Sequence, residues 1–325
     1  MSTAYQDALL QLRRQPKIWL ITGVAGFIGS HLLETLLREG QTVRGIDNFE
    51  TGSERNLEEV RLAVGDAAWS RFSFETADIR DLAACDKACE GVDFVLHEAA
   101  LGSVPLSIED PLKTHAVNVT GFVNVLDAAR RKGVGKVVFA ASSATYGDAE
   151  NVPAIEDQIG RQLSPYGLSK YANELYAEVF ARVYGSRFVG LRYFNVFGPR
   201  QDPKGAYAAV IPRWIETMLR GERVFVNGDG GSTRDFCYVL NVVQANILAA
   251  TAAPERDNQI FNVAAGASTD LLALHDMISK QLAEHGVSPV GPPIHRAPLP
   301  GEVRHSQGDI TRIQQALGYR AEDTV

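Results

Sequence analysis

Tyr166 stands four residues before Lys170 in the stretch SPYGLSKYANELY (164–176). At that spacing two side chains leave the same face of a helix. A phenol beside an ammonium is a proton-transfer couple. The cation favours the phenolate, lowers the tyrosine pKa, and lets its oxygen take a proton from a substrate hydroxyl. The same spacing also suits two ordinary residues of an amphipathic helix, so the rest of the chain has to decide.

A second constellation lies near the start. ITGVAGFIGSHL (21–32) puts Gly23, Gly26 and Gly29 at Gly-x-x-Gly-x-x-Gly spacing, after an apolar run and ahead of a helical pattern. Such a turn lets backbone approach a pyrophosphate, and the helix N-terminus offers free N–H groups and the positive end of a dipole. Asp47 closes the next β-rich run, TVRGID (42–47). Its carboxylate can accept from both hydroxyls of an adenosine ribose. Its charge would repel a 2′-phosphate, which favours NAD over NADP; Arg44 is near in sequence but lies inside the strand. The bland alternative is a tight turn between strand and helix with no ligand.

The elements that must carry these residues alternate. IWLIT (18–22), TVRGID (42–47), the run within RFSFETADIRD, DFVLHEAA (93–100), KVVFAAS (136–142) and RFVGLRYF (187–194) read as six strands. Helical patterns separate them: FIGSHLLETLLREG with Gly40 as its stop, a segment over 81–90, a long helix over 111–133, and the helix that holds Tyr166. This rhythm predicts an α/β fold, a doubly wound parallel sheet of the Rossmann type. After about residue 195 it breaks into short elements joined by GPRQDPKGAY, NGDGGST and GPPIHRAPLPGE. We expect residues 1–194 to form mainly the dinucleotide-binding domain and 195–325 mainly a smaller substrate lobe, interleaved with it. The opening residues suit a short amphipathic helix with Ala8, Leu9 and Leu12 on one face.

Composition limits the alternatives. Apolar residues make up 45% and charged residues 22%, ordinary values for a globular chain. A net charge of −7 disfavours nucleic acid and anionic membranes as partners, while a few local arginines can still hold a small anion. No apolar run is long enough to span a bilayer, and the start lacks the core of a signal peptide. Three cysteines fit a reducing cytoplasm better than a disulfide framework. Cys85 and Cys89 lie one helical turn apart; with no second pair to complete a metal site, buried helix cysteines are the expectation and no metal is implied.

TGVAGFIG (22–29), Asp47-Asn48, DIRD (78–81), HEAA (97–100), NVTG (118–121), SSATYG (142–147), YGLSK (166–170) and RYFNVFGPR (192–200) occur in order along nearly the whole chain. Together they resemble the extended short-chain dehydrogenase/reductase family, which includes sugar-nucleotide epimerases, dehydratases and decarboxylases. The resemblance implies a bound NAD held by Gly23, Gly26, Phe27, Ile28, Gly29, Asp47, Asn48, Asp78, Ile79, Ala99 and Ala100, with Lys170 also on the nicotinamide ribose. Asn118 matches too, either touching the cofactor site or bracing it. Ser142 is the hydroxyl that shares a hydrogen bond with the substrate oxygen beside Tyr166; a turn-capping serine is the alternative.

The family divides on the residues just after that serine. Its dehydratases carry Asp and Glu there and its decarboxylases a Glu, whereas this chain has Ser143 and Ala144. Neither can act as a general acid or base. The resemblance therefore implies an epimerase that oxidises a sugar at C4, turns the 4-keto intermediate, and reduces its other face. Asn195, Arg234 and Arg304 match positions that hold the nucleoside diphosphate, and VFVNGDG (224–230), with Val224, Phe225 and Asn227, resembles the strand beside a uracil. The expected reaction is 4-epimerisation of UDP-N-acetylglucosamine, with UDP-glucose as a further substrate. Ser306 stands where a bulky aromatic excludes the acetyl group in some epimerases, and Ser103 and Ser143 are candidates to bond the sugar. A UDP-uronate epimerase or a non-catalytic NAD-binding regulator are the alternatives. A homodimer through the helices at 111–131 and 166–184, and a further helix beyond YRAEDTV, are implied by resemblance alone.

Overall fold

The computed structural model describes residues 3–203, 209–288, 290–297 and 304–325. Parts of the GPRQDPKGAY and GPPIHRAPLPGE loops lie outside those residues. Seven parallel strands form the central sheet. Six are those expected: β1 (Ile18–Thr22), β2 (Thr42–Asp47), β3 (Phe72–Thr76), β4 (Phe94–His97), β5 (Lys136–Ser142) and β6 (Phe188–Tyr193). The seventh, Gln259–Val263, comes from far along the chain and pairs in parallel with β6. Every residue of β5 and β6 is buried, as a sheet covered on both faces requires.

Two apolar cores lie on the two faces. One joins α1 (Ala4–Arg14) and α2 (Phe27–Arg38) to the Val239–Thr251 helix, through Leu12, Leu33, Leu36, Val243 and Ile247. Ala8 and Leu12 of α1 are buried there and Leu9 packs against the same core, so the amphipathic face predicted for the N-terminus is the one used. The other core joins the Phe122–Arg131 and Pro165–Tyr184 helices through Val125, Leu126, Ala177 and Phe180. Cys85 and Cys89 are buried free thiols in this second core, and burial pushes both up to about 12.

Strand order in the sheet runs from the Gln259–Val263 strand through β6, β5, β4, β1 and β2 to β3. Chain direction across the sheet reverses between β1 and β4, so the loops after these strands part and leave a crevice at their carboxyl ends. Beyond β6, a third apolar cluster forms around the Val210–Leu219 and Leu271–Glu284 helices, with Ile211, Trp214, Phe236 and Leu274 inside. Short strand pairs surround it, such as Phe225–Asn227 with Ile294–Arg296. Residues after 195 thus contribute both to this lobe and, through 239–263, to the sheet and its cover.

The local reading differs from the structure at three points. α3 (Glu54–Val64), capped by Ser53, is not evident from its sparse apolar residues; tertiary burial of Leu57 and Val60 sustains it. The long helix predicted over 111–133 is divided: Pro111–His115 and Phe122–Arg131 are α-helical, and Ala116–Gly121 is a wider π turn. A short helix, Val104–Glu109, precedes it. The extra residue in a π turn swings side chains off the regular spiral, and here it redirects Asn118.

Candidate active site

The glycine turn, the ends of β4 and β5, the first turn of the Pro165–Tyr184 helix and the C-terminal lobe line one cleft of about 740 Å³. Its floor is the β1–α2 turn. A side chain on Gly29 would put its Cβ 2.2 Å from the Gly23 carbonyl oxygen, so only glycine lets α2 start this close to the strand end. Gly26 caps α2 with no side-chain hydrogen bond, and Gly23, Gly26, Phe27, Ile28 and Gly29 all face the cleft.

Asp47 is fixed beside that turn. Its Oδ2 accepts from the Ala25 N–H at 2.9 Å and its Oδ1 from the Phe49 N–H at 2.8 Å. Burial raises its pKa while these backbone bonds oppose the rise. Asn48, Asp78, Ile79, Ala99 and Ala100 continue the same wall. Asp78 accepts from Arg80 and from Asn48, and the Arg80 guanidinium holds its carboxyl down to about 2. A carboxylate set next to an uncapped helix N-terminus and a glycine floor fits a dinucleotide: ribose hydroxyls on Asp47, pyrophosphate over the α2 N–H groups.

The candidate catalytic residues meet on the opposite wall. Ser164 caps the helix by accepting from the Gly167 N–H at 3.0 Å, and Pro165 occupies the first turn. A Cβ on Gly167 would stand 2.8 Å from the Ala144 carbonyl oxygen. Glycine there allows the helix to press against the turn after β5, and Tyr166 lines the cleft with Ser142, whose hydroxyl favours the phenolate. Ser142 lines the cleft, and its Oγ accepts from the Ala144 N–H at 3.1 Å, the turn-capping contact offered as its alternative. Lys170 is buried and its Nζ donates to the Ala140 carbonyl of β5 at 2.8 Å.

The electrostatics correct one expectation. The Tyr–Lys spacing predicts a lowered pKa for Tyr166; burial raises it, against the Ser142 hydrogen bond. Lys170 gives one of its three N–H donors to β5, and burial pushes its own pKa down to about 8. Nearby, His97 is buried, pushed down to about 3 and bonded to Thr22 at 2.8 Å, so it stays neutral.

Asn118 does not line the cleft. Its Oδ1 accepts from the Leu101 N–H at 2.8 Å, and its Nδ2 donates to the Leu101 carbonyl at 3.0 Å and to Ser169 Oγ at 3.1 Å. Ser169 in turn donates to the Tyr166 carbonyl. Asn118 therefore braces the catalytic turn. Of the expected substrate residues, Ser143, Asn195, Phe225, Asn227 and Arg234 line the cleft. Ser103 instead caps the Val104–Glu109 helix, and Val224 is buried in the lobe core. Arg304 pairs with Asp229 on the surface, and the Ser306 N–H donates to the Thr233 carbonyl; neither is a wall of the cleft.

Sequence reasoning passes over Glu98 and Tyr193. Glu98 sits inside the HEAA motif, where a carboxylate directly after an apolar strand is the available signal. Both line the cleft, and the Tyr193 O–H donates to Glu98 Oε1 at 2.9 Å. No group of three or more potential metal ligands occurs among the described residues, and no helix among them is long and apolar enough to cross a membrane.

Residues 19–264 match the model of the NAD dependent epimerase/dehydratase family. The chain belongs to that family. It is 35% identical over 305 residues to a UDP-glucose 4-epimerase of Mycolicibacterium smegmatis, covering 93% of each chain. Among solved structures it resembles a UDP-N-acetylglucosamine 4-epimerase of Methanobrevibacter ruminantium in complex with UDP-N-acetylmuramic acid. That likeness has a TM-score of 0.86 at 35% identity and covers 94% of this chain and 93% of the other. It also resembles a Thermus thermophilus UDP-glucose 4-epimerase in complex with NAD, with TM-score 0.81, 34% identity and 95% of each chain covered.

The floor of the cleft yields a direct test. Gly29→Ala forces Gly23 and Gly29 apart, at an overpacking cost of about 1–3 kcal/mol. The variant should melt earlier and retain less NAD through gel filtration. Wild-type melting and NAD content together would show that the turn is not the cofactor floor.

Proposed function

We propose that this protein is an NAD-dependent UDP-sugar 4-epimerase whose principal pair is UDP-N-acetylglucosamine and UDP-N-acetylgalactosamine. One observation carries the reading. Tyr166, Ser142 and Lys170 line the same cleft wall, the Ser142 hydroxyl favouring the Tyr166 phenolate, and there is no carboxylate at 143 or 144. When bound, NAD supplies a hydride acceptor at the sugar carbon and later the hydride donor that reduces it.

The chain's own residues hold the sugar and move one proton. Tyr166 removes the proton of the 4-hydroxyl as that carbon is oxidised and returns it on reduction. Ser142 shares the same oxygen and orients it. Burial leaves the phenol reluctant to ionise, so the push toward phenolate must come from positive charge at the site: the Lys170 ammonium and the oxidised nicotinamide. Asp47 and the α2 N-terminus are the contacts for the adenosine half of the cofactor. To Phe225 and Asn227, which line the cleft, we assign the uracil, and to Arg234 the diphosphate.

The small side chains of Ser143 and Ala144 beside the reacting centre leave room for a substituted sugar, and similarity to an N-acetylglucosamine epimerase supports the acetylated pair. Similarity to UDP-glucose epimerases supports a second activity on UDP-glucose and UDP-galactose. We also propose a homodimer. The Pro165–Tyr184 helix exposes Leu168, Leu175, Tyr176, Val179 and Val183 at helical spacing, and Leu112 nearby is 82% exposed. An apolar stripe of this kind on an otherwise polar surface needs a partner, and a second copy of the same stripe supplies one.

Purified protein, without added reductant, should bring UDP-N-acetylglucosamine and its C4 epimer to one equilibrium mixture from either side, and UDP-glucose more slowly. No interconversion of any of these would defeat the reading. Tyr166→Phe should lower kcat by about 10²–10⁴-fold while NAD content stays at the wild-type level; undiminished turnover would remove Tyr166 from the chemistry. Light scattering should give a mass of two 35.4 kDa chains, and a Val179→Asp/Val183→Asp variant the mass of one. A monomeric wild type would rule out the dimer.

A further inference from the structure

Glu98 has no part in the mechanism above, yet it is a half-buried, desolvated carboxyl on the wall of the reaction cleft. Its backbone N–H donates to the Thr22 carbonyl at 3.1 Å, which fixes it at the point where the sheet reverses direction. Its Oε1 accepts from the Tyr193 O–H at 2.9 Å, and the Tyr193 oxygen accepts from Asn246 Nδ2 at 2.7 Å. Asn246 is itself held within the buried Val239–Thr251 helix, donating to the Val242 carbonyl at 3.0 Å. Two buried elements therefore clamp one carboxyl in place. A carboxyl desolvated this thoroughly is costly unless a positive charge answers it.

Lys170 answers it. The attraction between the two acts on both, favouring the carboxylate of one and the ammonium of the other. The remaining groups around them are neutral. His97 on β4 is held as free imidazole, Tyr193 on β6 is raised far above the usual phenol range, and Tyr166 on the lysine's own helix is raised too. Cys237, near Tyr193, is pushed up to about 12 by burial. The hydrogen-bond partner of the lysine is the uncharged Ala140 carbonyl. Among the described residues, Glu98 is the anion that bears on Lys170.

We propose that Glu98 is a positioning residue for the reaction: its carboxylate, clamped by Tyr193, keeps Lys170 in the ammonium form that a Tyr166 phenolate requires. The proposal rests on the reading of Tyr166 and Lys170 as the acid–base pair. It implies a narrow working range. Glu98 is raised to about 7, chiefly by burial, and Lys170 is lowered to about 8 for the same reason. The doubly charged pair is most populated between those values. As pH falls through the lower one the carboxylate gains a proton and its hold on the lysine is lost. As pH rises through the upper one the lysine gives its proton up.

The test reads the lysine directly. In protein labelled with ¹³Cε-lysine, the Lys170 resonance is assigned by its absence from Lys170→Arg, and its titration midpoint is followed in wild type, Glu98→Gln and Glu98→Asp. The Gln variant should lower the midpoint by about one pH unit or more, and Asp should restore most of it. The alkaline limb of kcat should move down with it. A residue that merely supports the fold would lower stability or turnover at every pH without moving the midpoint. An unmoved Lys170 midpoint in a folded Glu98→Gln protein overturns the proposal, whatever its activity. Because the resonance is read without turnover, failure to epimerise UDP-sugars would sink the functional reading alone. Should Glu98→Gln not fold, Tyr193→Phe carries the test. Loss of the phenol hydrogen bond should shift the acid limb of kcat to higher pH, and an unchanged limb would overturn the proposal.

Discussion

The site depends on how closely the Pro165–Tyr184 helix approaches the carboxyl end of β5. Gly167 allows its first turn to come against the Ala144 carbonyl, with no side chain between helix and turn. That contact brings the phenol of Tyr166 to Ser142, and one turn further on it buries the Lys170 stem so that its ammonium meets the Ala140 carbonyl. Asn118 and Ser169 secure the approach from behind: the π turn aims the Asn118 amide at both the Leu101 backbone and the helix that carries Tyr166. This bracing holds the Tyr166 phenol in place, and for the proton transfer proposed for it ångström-scale errors are expensive in rate.

Burial then sets the chemistry. Every titratable group around the reacting centre is displaced toward its neutral form by desolvation: Tyr166 and Glu98 upward, Lys170 and His97 downward. In such a site a single charge has a long reach, because little water screens it. This makes the state of Lys170 sensitive to its carboxylate neighbour, and the state of Tyr166 sensitive to a cationic ring brought into the cleft. The floor obeys a different logic. Asp47 is desolvated as well, but two backbone N–H groups address its oxygens, so the carboxylate has partners before any ribose arrives.

A second buried network joins the C-terminal side of the sheet to the helix that carries Tyr166. Arg192 of β6, 2% exposed on its side chain, makes a two-pronged pair with Glu174 of the Tyr166 helix at 2.9 and 2.7 Å and donates to the Glu156 carbonyl. Glu156 in turn accepts from the Asn262 N–H of the seventh strand. The strand that completes the sheet from the C-terminal part of the chain is thus tied, through Glu156 and Arg192, to the helix that carries Tyr166.

Much was legible in the sequence because it rests on short-range rules. The three glycines, Asp47 at a strand end, six of the seven strands and the Tyr–Lys spacing follow from local sterics, period and helix geometry, and they led to both the fold and the family. The seventh strand was not legible: QIFNV is a short apolar run whose role depends on pairing with β6, some seventy residues earlier. For Asn118 the sequence offered a brace and a cofactor contact alike, and packing decided for the brace; the placing of Arg234 inside the cleft while Arg304 lies outside it was not legible. The sign of the Tyr166 shift and the tie between Glu98 and Lys170 belong to the same class. Sequence by itself determined which chemical groups were present and on which local elements they ride. Tertiary structure decided their charge and their partners, because desolvation and long-range contact are properties of the packed whole.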